Sequence, residues 1–287
     1  MIMKTKSELI QTTGFFLIRM GTFIVIAFLF LMLGYIFTKG ISAISWEFLT
    51  EMPRNEMTKG GILPAIVGTF YLMIGASLIS IPVGIITAIY LTEYAKNPRV
   101  VKIIRLGINN LAGVPSVVFG LFGLSLFVIF LEFGTSIIAG SLTLGLLNLP
   151  VIIRSTEEAL HVVPGTYREA SLSLGATKWQ TIYKIIIPNA LPGIMTGIML
   201  SLGRAAGETA PVMFTAAAFY TPDLPVSVFN EVMALPYHIY VMATAGTHIQ
   251  ATRHLQYGTA IVLISLVLTL NMTGLILRYR FRKKMRS

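Results

Sequence analysis

The sequence predicts an all-α polytopic membrane protein, with six transmembrane helices and one water-exposed helix pair. Three observations carry that expectation. Hydrophobic residues make up 55% of the chain and charged residues 12%, whereas soluble chains carry about 25% charged residues. No charge interrupts the intervals between Lys59 and Glu93, Arg105 and Glu132, Glu132 and Arg154, or Arg253 and Arg278, and about 20 apolar residues suffice to cross a bilayer. Between two hydrophobic blocks, residues 166–188 form a polar segment with two helix-start signals.

In chain order, the first span covers residues 14–37, with Arg19 near its entry. Lys4 and Lys6 give it a positive start, but the apolar run is long and no small-residue cleavage site follows, so it reads as a retained anchor. Residues 39–60 then face water, and Trp46 is placed as an interfacial anchor. Three spans fill the charge-free intervals up to Arg154. Pro64, Pro82, Pro115 and Pro150 lie in or near them, where neighbouring helices can satisfy freed backbone groups. Pro115 and Ser116 are candidate pathway residues, with a plain structural kink as the alternative.

The segment after Arg154 contains two capping boxes, Thr166 with Glu169 and Thr177 with Gln180. In each, two side chains would satisfy NH groups that a helix start leaves unpaired. Gly175 suits the left-handed position that closes the first helix, and Pro188 marks the end of the second or its junction with the next span. Trp179 opens the second helix, ready to pack on a partner or the membrane surface. A rigid helix pair on the water side is a docking element.

The span over residues 194–218 carries the sharpest chemistry, Arg204 and Glu208. An arginine at bilayer depth costs about 2.5 to 3.5 kcal/mol on insertion scales, so something must compensate for it. At 100° per residue, Gly193, Gly197, Arg204, Gly207, Glu208 and Pro211 fall within about one 100° arc. Gly193 to Gly197 and Gly203 to Gly207 are GxxxG spacings that permit close helix approach. One reading makes Arg204 and Glu208 a neutralised packing pair. Against it, arginine followed by glutamate is the poorer order for an ion pair within a helix. Pro211 also removes a hydrogen bond to Gly207, which loosens the helix beside the charges and suits an anion pathway.

The outward stretch 220–256 holds His238, His248 and His254, whose spacing is not that of metal ligands. Ordinary loop contacts are expected for them, and no metal site. Pro222, Pro225 and Pro236 divide this stretch, with short helices expected against the membrane surface and a face for an external partner. The last span lies between Arg253 and Arg278.

A net charge of +10 raises the question of nucleic acid, but the basic residues sort by loop. Lys96, Arg99, Lys102, Arg105, Arg154, Arg168, Lys178, Lys184 and the tail from Arg278 to Arg286 fall on the side of the amino terminus, against Lys39, Arg54, Lys59 and Arg253 opposite. The positive-inside rule then makes both termini and the helix pair cytoplasmic, and membrane lipid rather than nucleic acid the expected contact. The chain has no cysteine, so disulfides and thiolate metal sites are excluded. It lacks a G-x-x-x-x-G-K-[ST] loop and an H-E-x-x-H motif, so no catalytic residue is expected and any ATP must be hydrolysed by a partner. A secondary transporter would be expected to show internal repeats or paired broken helices.

Glu169-Ala170-Ser171, Gly175, Ile185, Ile187 and Pro188 resemble the EAA motif of ABC importer permeases, with Ser171 for the third alanine and Ile187 for leucine. Residues 113–120 and 204–211 are similar to signatures of the two permease subunits of the phosphate-specific importer, and the short basic amino terminus looks like its PstA type. The resemblance covers about residues 60 to 280 and implies a type I ABC importer permease fold in one domain, residues 1–287, with a coupling segment at 159–188 and an external loop at 220–256. It implies ATPase coupling by Glu169, Ala170, Ser171, Gly175, Ala176, Thr177 and Lys178, and a substrate pathway at Arg204, Glu208, Thr209, Pro115 and Ser116. Implied partners are a homologous second permease, two ATP-binding subunits using ATP and magnesium, and an external phosphate-binding protein; this chain itself would bind no cofactor. The implied location is the cytoplasmic (inner) membrane of a bacterium or archaeon. Within the class, the alternatives are the sister permease and a permease for sulfate, molybdate or phosphonate.

Overall fold

Apolar length and the positions of proline decide the main elements. The computed structural model describes residues 6–55, 57–221, 223–245, 249–250 and 252–284, so Lys4, Pro222, His248 and Arg286 lie outside the described residues. The elements are α1 (Lys6–Gly40), α2 (Trp46–Thr50), the antiparallel hairpin β1 (Pro53–Arg54) and β2 (Lys59–Gly60), α3 (Leu63–Ile89), α4 (Pro98–Ala112), α5 (Ser116–Gly123) and α6 (Ile137–Val162). They continue as α7 (Gly165–Ser173), α8 (Lys178–Thr181), α9 (Ile187–Gly207), α10 (Ala210–Thr215), α11 (Leu235–Thr244) and α12 (Arg253–Lys284). Wider π-helical turns carry α3 on to Tyr94 and α5 to Phe130, and a third, Ile182–Ile186, makes α8 and α9 one continuous rod.

Among the described residues, five segments are long and apolar enough to cross a membrane, or six if the bent pair Pro98–Ala112 and Ser116–Phe130 counts as one span: Gln11–Ala43, Leu63–Tyr94, Ile137–Val162, Lys178–Gly207 and Arg253–Phe281 stand alone. The span predicted between Arg105 and Glu132 is different. It is broken at Gly113–Pro115, where α4 and the helix Ser116–Phe130 meet at 99°. Pro115 has no N–H to continue the ladder and pushes Val114 out of the helical region. If α5 crosses the bilayer, α4 lies along its face. The sequence of α4 fits that posture: Val101, Ile104 and Ile108 pack on the core, while Arg99, Lys102, Ile103 and Leu106 are exposed.

The centre of the bundle is α6 between α3 and α9. Leu144, Ile152 and Leu160 of α6 are fully buried. In lipid, apolar surface gives little drive for helices to associate, so close van der Waals fit must hold them. Gly193 and Gly197 supply it: a Cβ at Gly193 would fall 2.6 Å from the Ala159 methyl, and one at Gly197 would collide with Ser155 Oγ. The second GxxxG spacing does not form a comparable contact, because nothing lies within 4 Å of a Cβ built at Gly207. None of the most apolar stretch of α1 is buried. Its C-terminal end meets α12, where the rings of Tyr35 and Tyr257 pack edge to face at 5.7 Å.

The two stretches expected to face outward pack together instead of lying separately on the surface. Phe48 and Met57 join Met233, Leu235 and Val241 in one apolar cluster, and the Tyr220 hydroxyl donates to the Pro53 carbonyl at 3.0 Å. The stretch after α10 is drawn into the bundle. The Asn230 and Val228 carbonyls accept from Ile137 and Ile138, satisfying donors at the start of α6, and the buried Thr69 hydroxyl accepts from the Leu235 N–H at 2.9 Å. One short helix does form in this stretch, α11, packed into the bundle by its buried residues. α11 is half sunk: Leu235, Val241 and Met242 are buried in the apolar cluster, and the Leu235 N–H at its start donates to the Thr69 hydroxyl of α3.

Candidate functional site

The span predicted over residues 194–218 is also broken, at Glu208–Thr209. Pro211 cannot donate to the Gly207 carbonyl, α9 stops at Gly207, and Glu208 is extended at φ −72°, ψ 122°. Arg204 therefore occupies the last turn of α9, where the helix dipole favours a cation. Its Nε donates to Glu208 Oε1 at 3.0 Å. Because Glu208 lies outside the helix, the penalty for arginine-then-glutamate order within a helix does not apply. The Glu208 carboxylate is 14% exposed and the Arg204 side chain 39%. Among the described residues, both terminal nitrogens of Arg204 have no hydrogen-bond partner, leaving half of its fork open to an anion.

Depth follows from the register of α6 and α9. Gly193 faces Ala159 and Gly197 faces Ser155, so by the same antiparallel spacing Arg204 stands at the level of Asn148, near the middle of α6. Asn148 is 2% exposed and its Oδ1 has no hydrogen-bond partner. Sequence reasoning missed it, since one asparagine in an apolar run carries no pattern.

The other pathway candidates converge on the same break. A Cβ at Gly120 would lie 3.0 Å from the Ala210 carbonyl and 3.0 Å from Pro211 Cα, and one at Gly123 would lie 2.9 Å from a Thr215 methyl. α5 and α10 thus run side by side in parallel. One turn before Gly120, Ser116 and the exposed Pro115 reach the level of Gly207–Thr209. Thr209 precedes α10 and caps it with no side-chain bond. Arg204, Glu208, Thr209, Pro115 and Ser116 therefore share one zone where two helices break, although no hydrogen bond among the described residues joins Pro115 or Ser116 to the pair. Both breaks leave backbone polar groups at depth, which is tolerated where they line a cavity or are covered by protein.

About 39 Å away along the α8–α9 rod, at 1.5 Å per residue, sits the helix pair. The Thr177–Gln180 capping box is present: Gln180 N donates to Thr177 Oγ1 at 3.3 Å and Thr177 N to Gln180 Oε1 at 2.8 Å. Gly175 adopts φ +82° and closes α7. The expected box at Thr166 is absent. Pro164 is the N-cap of α7, which places Thr166 inside the first turn, where its side chain cannot reach back. Ser171 is buried, and its hydroxyl and that of Thr181 share a hydrogen bond at 2.8 Å, fastening α7 to α8. Glu169, Ala170, Thr177 and Lys178 are exposed and Ala176 is half buried. Leu174, 89% exposed, and Trp179, stacked on Tyr183, put apolar surface beside them.

Arg168 holds this pair to the bundle, a role the sequence did not reveal. Its Nε and Nη2 donate to Glu93 Oε1 at 3.1 and 2.8 Å, and its Nη groups donate to the Val163 and Leu160 carbonyls at 2.9 and 3.0 Å. Those carbonyls are orphans of the α6 C-terminus. Lys178 donates to the Glu93 carbonyl and stands 4.9 Å over the Tyr94 ring. α7, α8, α3 and α6 are thereby joined at one hub. Glu93 and Arg168 are far apart in the chain, so no local signal pairs them.

The histidines do not behave alike. His254 is exposed, but His238 is 2% exposed within α11, and burial lowers its pKa to about 4. It is a neutral core group, not a loop contact. Among the described residues, no three His, Asp or Glu side chains come together as a metal site would require.

Residues 80–287 match the family described as binding-protein-dependent transport system inner membrane component. The chain is 36% identical over 263 residues to the probable ABC transporter permease protein YqgI of Bacillus subtilis, across 88% of this chain and 89% of that one. It is 39% identical over 235 residues to the phosphate transport system permease protein PstA 1 of Mycobacterium tuberculosis, across 82% and 76%. Among solved structures, a bacterial ABC transporter involved in the import of the acidic polysaccharide alginate superposes with a TM-score of 0.66 over 94% of this chain and 96% of that one, at 14% identity, a likeness of fold.

Proposed function

The chain belongs to the family of binding-protein-dependent transport system inner membrane components, and we propose that it is the PstA-type permease subunit of an ABC importer that carries inorganic phosphate across the cytoplasmic membrane. Its fold is that of a type I ABC importer permease. The observation that carries the substrate is Arg204, level with Asn148 of α6 by the glycine register, at a helix break, with two terminal nitrogens that have no hydrogen-bond partner among the described residues. A guanidinium presents a planar fork to phosphate oxygens, which an ammonium cannot. Glu208 holds the Nε edge and so aims the other edge. The relatives named for phosphate transport support the same anion.

Partner ATPase subunits dock on α7 and α8 at Glu169, Ala170, Leu174, Thr177 and Trp179, and hydrolyse the ATP with magnesium. Because α8 is continuous with α9, a displacement of the pair travels along one rod to the Arg204 break. The hub of Arg168, Lys178 and Glu93 moves α3 and α6 with it. A homologous second permease completes the pathway against the exposed sides of Arg204 and Pro115, and an external binding protein delivers the anion to the end formed by α2, the hairpin and α11. The basic residues on α4, α7 and α8 support a cytoplasmic side for the helix-pair end, and for both termini with it.

Uptake of labelled phosphate into vesicles reconstituted with the partner subunits tests this reading, comparing wild type with R204Q at equal assembly. Loss of uptake is expected, with R204K recovering little. Undiminished uptake would make Arg204 a packing residue. A second reading, transport of sulfate or molybdate, is favoured by the fork's indifference to which oxyanion fills it; competition by those anions at equal concentration separates the two.

A further inference from the structure

A cavity of about 580 Å³ opens where the π-helical end of α3 meets α4. Leu91, Val101 and Leu106 form its apolar wall, and Lys96, Lys102 and Arg105 bring three cations to it. The facing groups leave that charge uncancelled. Arg105 binds Glu157 of α6 at 3.0 Å, and that carboxylate is 13% exposed, while Arg154 donates to Asn109 at the cavity's edge. One acid thus stands against four bases. On its outer side α4 exposes Val100 and Ile103, and if α5 crosses the bilayer, the 99° angle between them lays α4 along the membrane face.

We propose that this cavity binds the headgroup of an anionic phospholipid from the leaflet at the α7 end. A phosphodiester would meet the cations of Lys96 and Lys102, and its acyl chains would follow the Leu91, Val101 and Leu106 wall out into the bilayer. A free phosphate ion offers the same oxygens but would leave that apolar wall against water. Basic pockets between membrane helices are a recurrent form of lipid headgroup site. The cavity's lining shares no residue with the Arg204 break: Arg204, Glu208, Thr209, Pro115 and Ser116 all lie outside it. It rests on the proposed function only in calling that leaflet cytoplasmic, so a failure of the transport reading would leave the lipid count below unchanged.

The test is native mass spectrometry of the assembled transporter released from nanodiscs of equimolar phosphatidylglycerol and phosphatidylcholine. K96Q/K102Q is expected to retain phosphatidylglycerol about 30-fold more weakly, from about a 5-fold contribution per lysine near an anionic surface, while K96R/K102R retains it. K184Q, a charge loss outside the cavity, is the control. Should the double variant fail to assemble, K102Q alone is read against the 5-fold expectation. Undiminished retention, an equal loss in K184Q, or displacement of the lipid by millimolar inorganic phosphate would each overturn the proposal, the last by assigning the cavity to a free anion.

Discussion

Replacing Arg168 by methionine should uncouple the helix pair from the bundle while leaving the α8–α9 rod intact. In the folded chain the Arg168 guanidinium makes four hydrogen bonds, two to Glu93 Oε1 and one each to the Val163 and Leu160 carbonyls. Its side chain is 26% exposed and that of Glu93 9%. Removing one partner of a buried pair costs about 3 to 5 kcal/mol, because the other charge stays buried and unpaired. Water reaches the partly exposed arginine position and re-solvates the two carbonyls, which lowers the expected loss to about 2 to 3 kcal/mol. The loss shrinks when both partners go. R168M/E93L leaves no orphan charge and should recover most of the loss, giving a coupling energy of about 2 kcal/mol in a double-mutant cycle. The assay pairs resistance to denaturant with the ratio of phosphate taken up to ATP hydrolysed in vesicles. For R168M that ratio should fall several-fold, about one factor of ten per 1.4 kcal/mol at most, with hydrolysis persisting. A ratio equal to wild type, or a double variant no better than R168M, would refute the hub as a transmission element.

Three further outcomes follow from packing and burial. G197L should drive α9 off α6, since its side chain would overlap Ser155; a loss of about 1 to 3 kcal/mol is expected, read as reduced assembly in detergent, while wild-type yield would contradict the close approach. N148L should leave stability unchanged or raised, because it removes a buried amide oxygen with no partner at a cost of about 1 to 3 kcal/mol; if uptake nevertheless falls in vesicles, Asn148 acts on the anion at the depth of Arg204. His238 is held neutral, with its pKa lowered to about 4 from 6.5. The unfolded chain therefore binds the proton first as pH falls through 6.5, and stability is lost progressively down to about 4, by about 3 kcal/mol in total. H238Q should flatten that acid limb in a denaturation series, and an unaltered slope would contradict the burial of this ring.

Elements with local signals were legible along the chain. Charge-free intervals placed the long helices because a bilayer demands about 20 apolar residues in a row, and Thr177, Gln180 and Gly175 marked the helix pair because caps and left-handed turns depend on residues within one turn of each other. Pro211 beside Arg204 and Glu208 announced a weak point, though the sequence read it as a loosened helix and not as a full break. Wherever an outcome depended on a neighbour distant in the chain, the tertiary structure decided it. Pro115 turned a predicted span through 99° because α4 had a core face to bury. Ser171 turned inward to meet Thr181, whereas Thr166 lost its cap to Pro164, a local signal the sequence reading missed. The stretch around Asn230 sank into the bundle, where it gives the Ile137 and Ile138 amides of α6 the acceptors that the N-cap Ser136, bonded to Ala139, does not. Glu93 looked like the edge of a hydrophobic interval until folding brought Arg168 and Lys178 to it. Hydrophobicity and capping act over a few residues and can be read along a line. Ion pairs, orphan carbonyls and glycine contacts are settled between segments, and their partners are named by the fold.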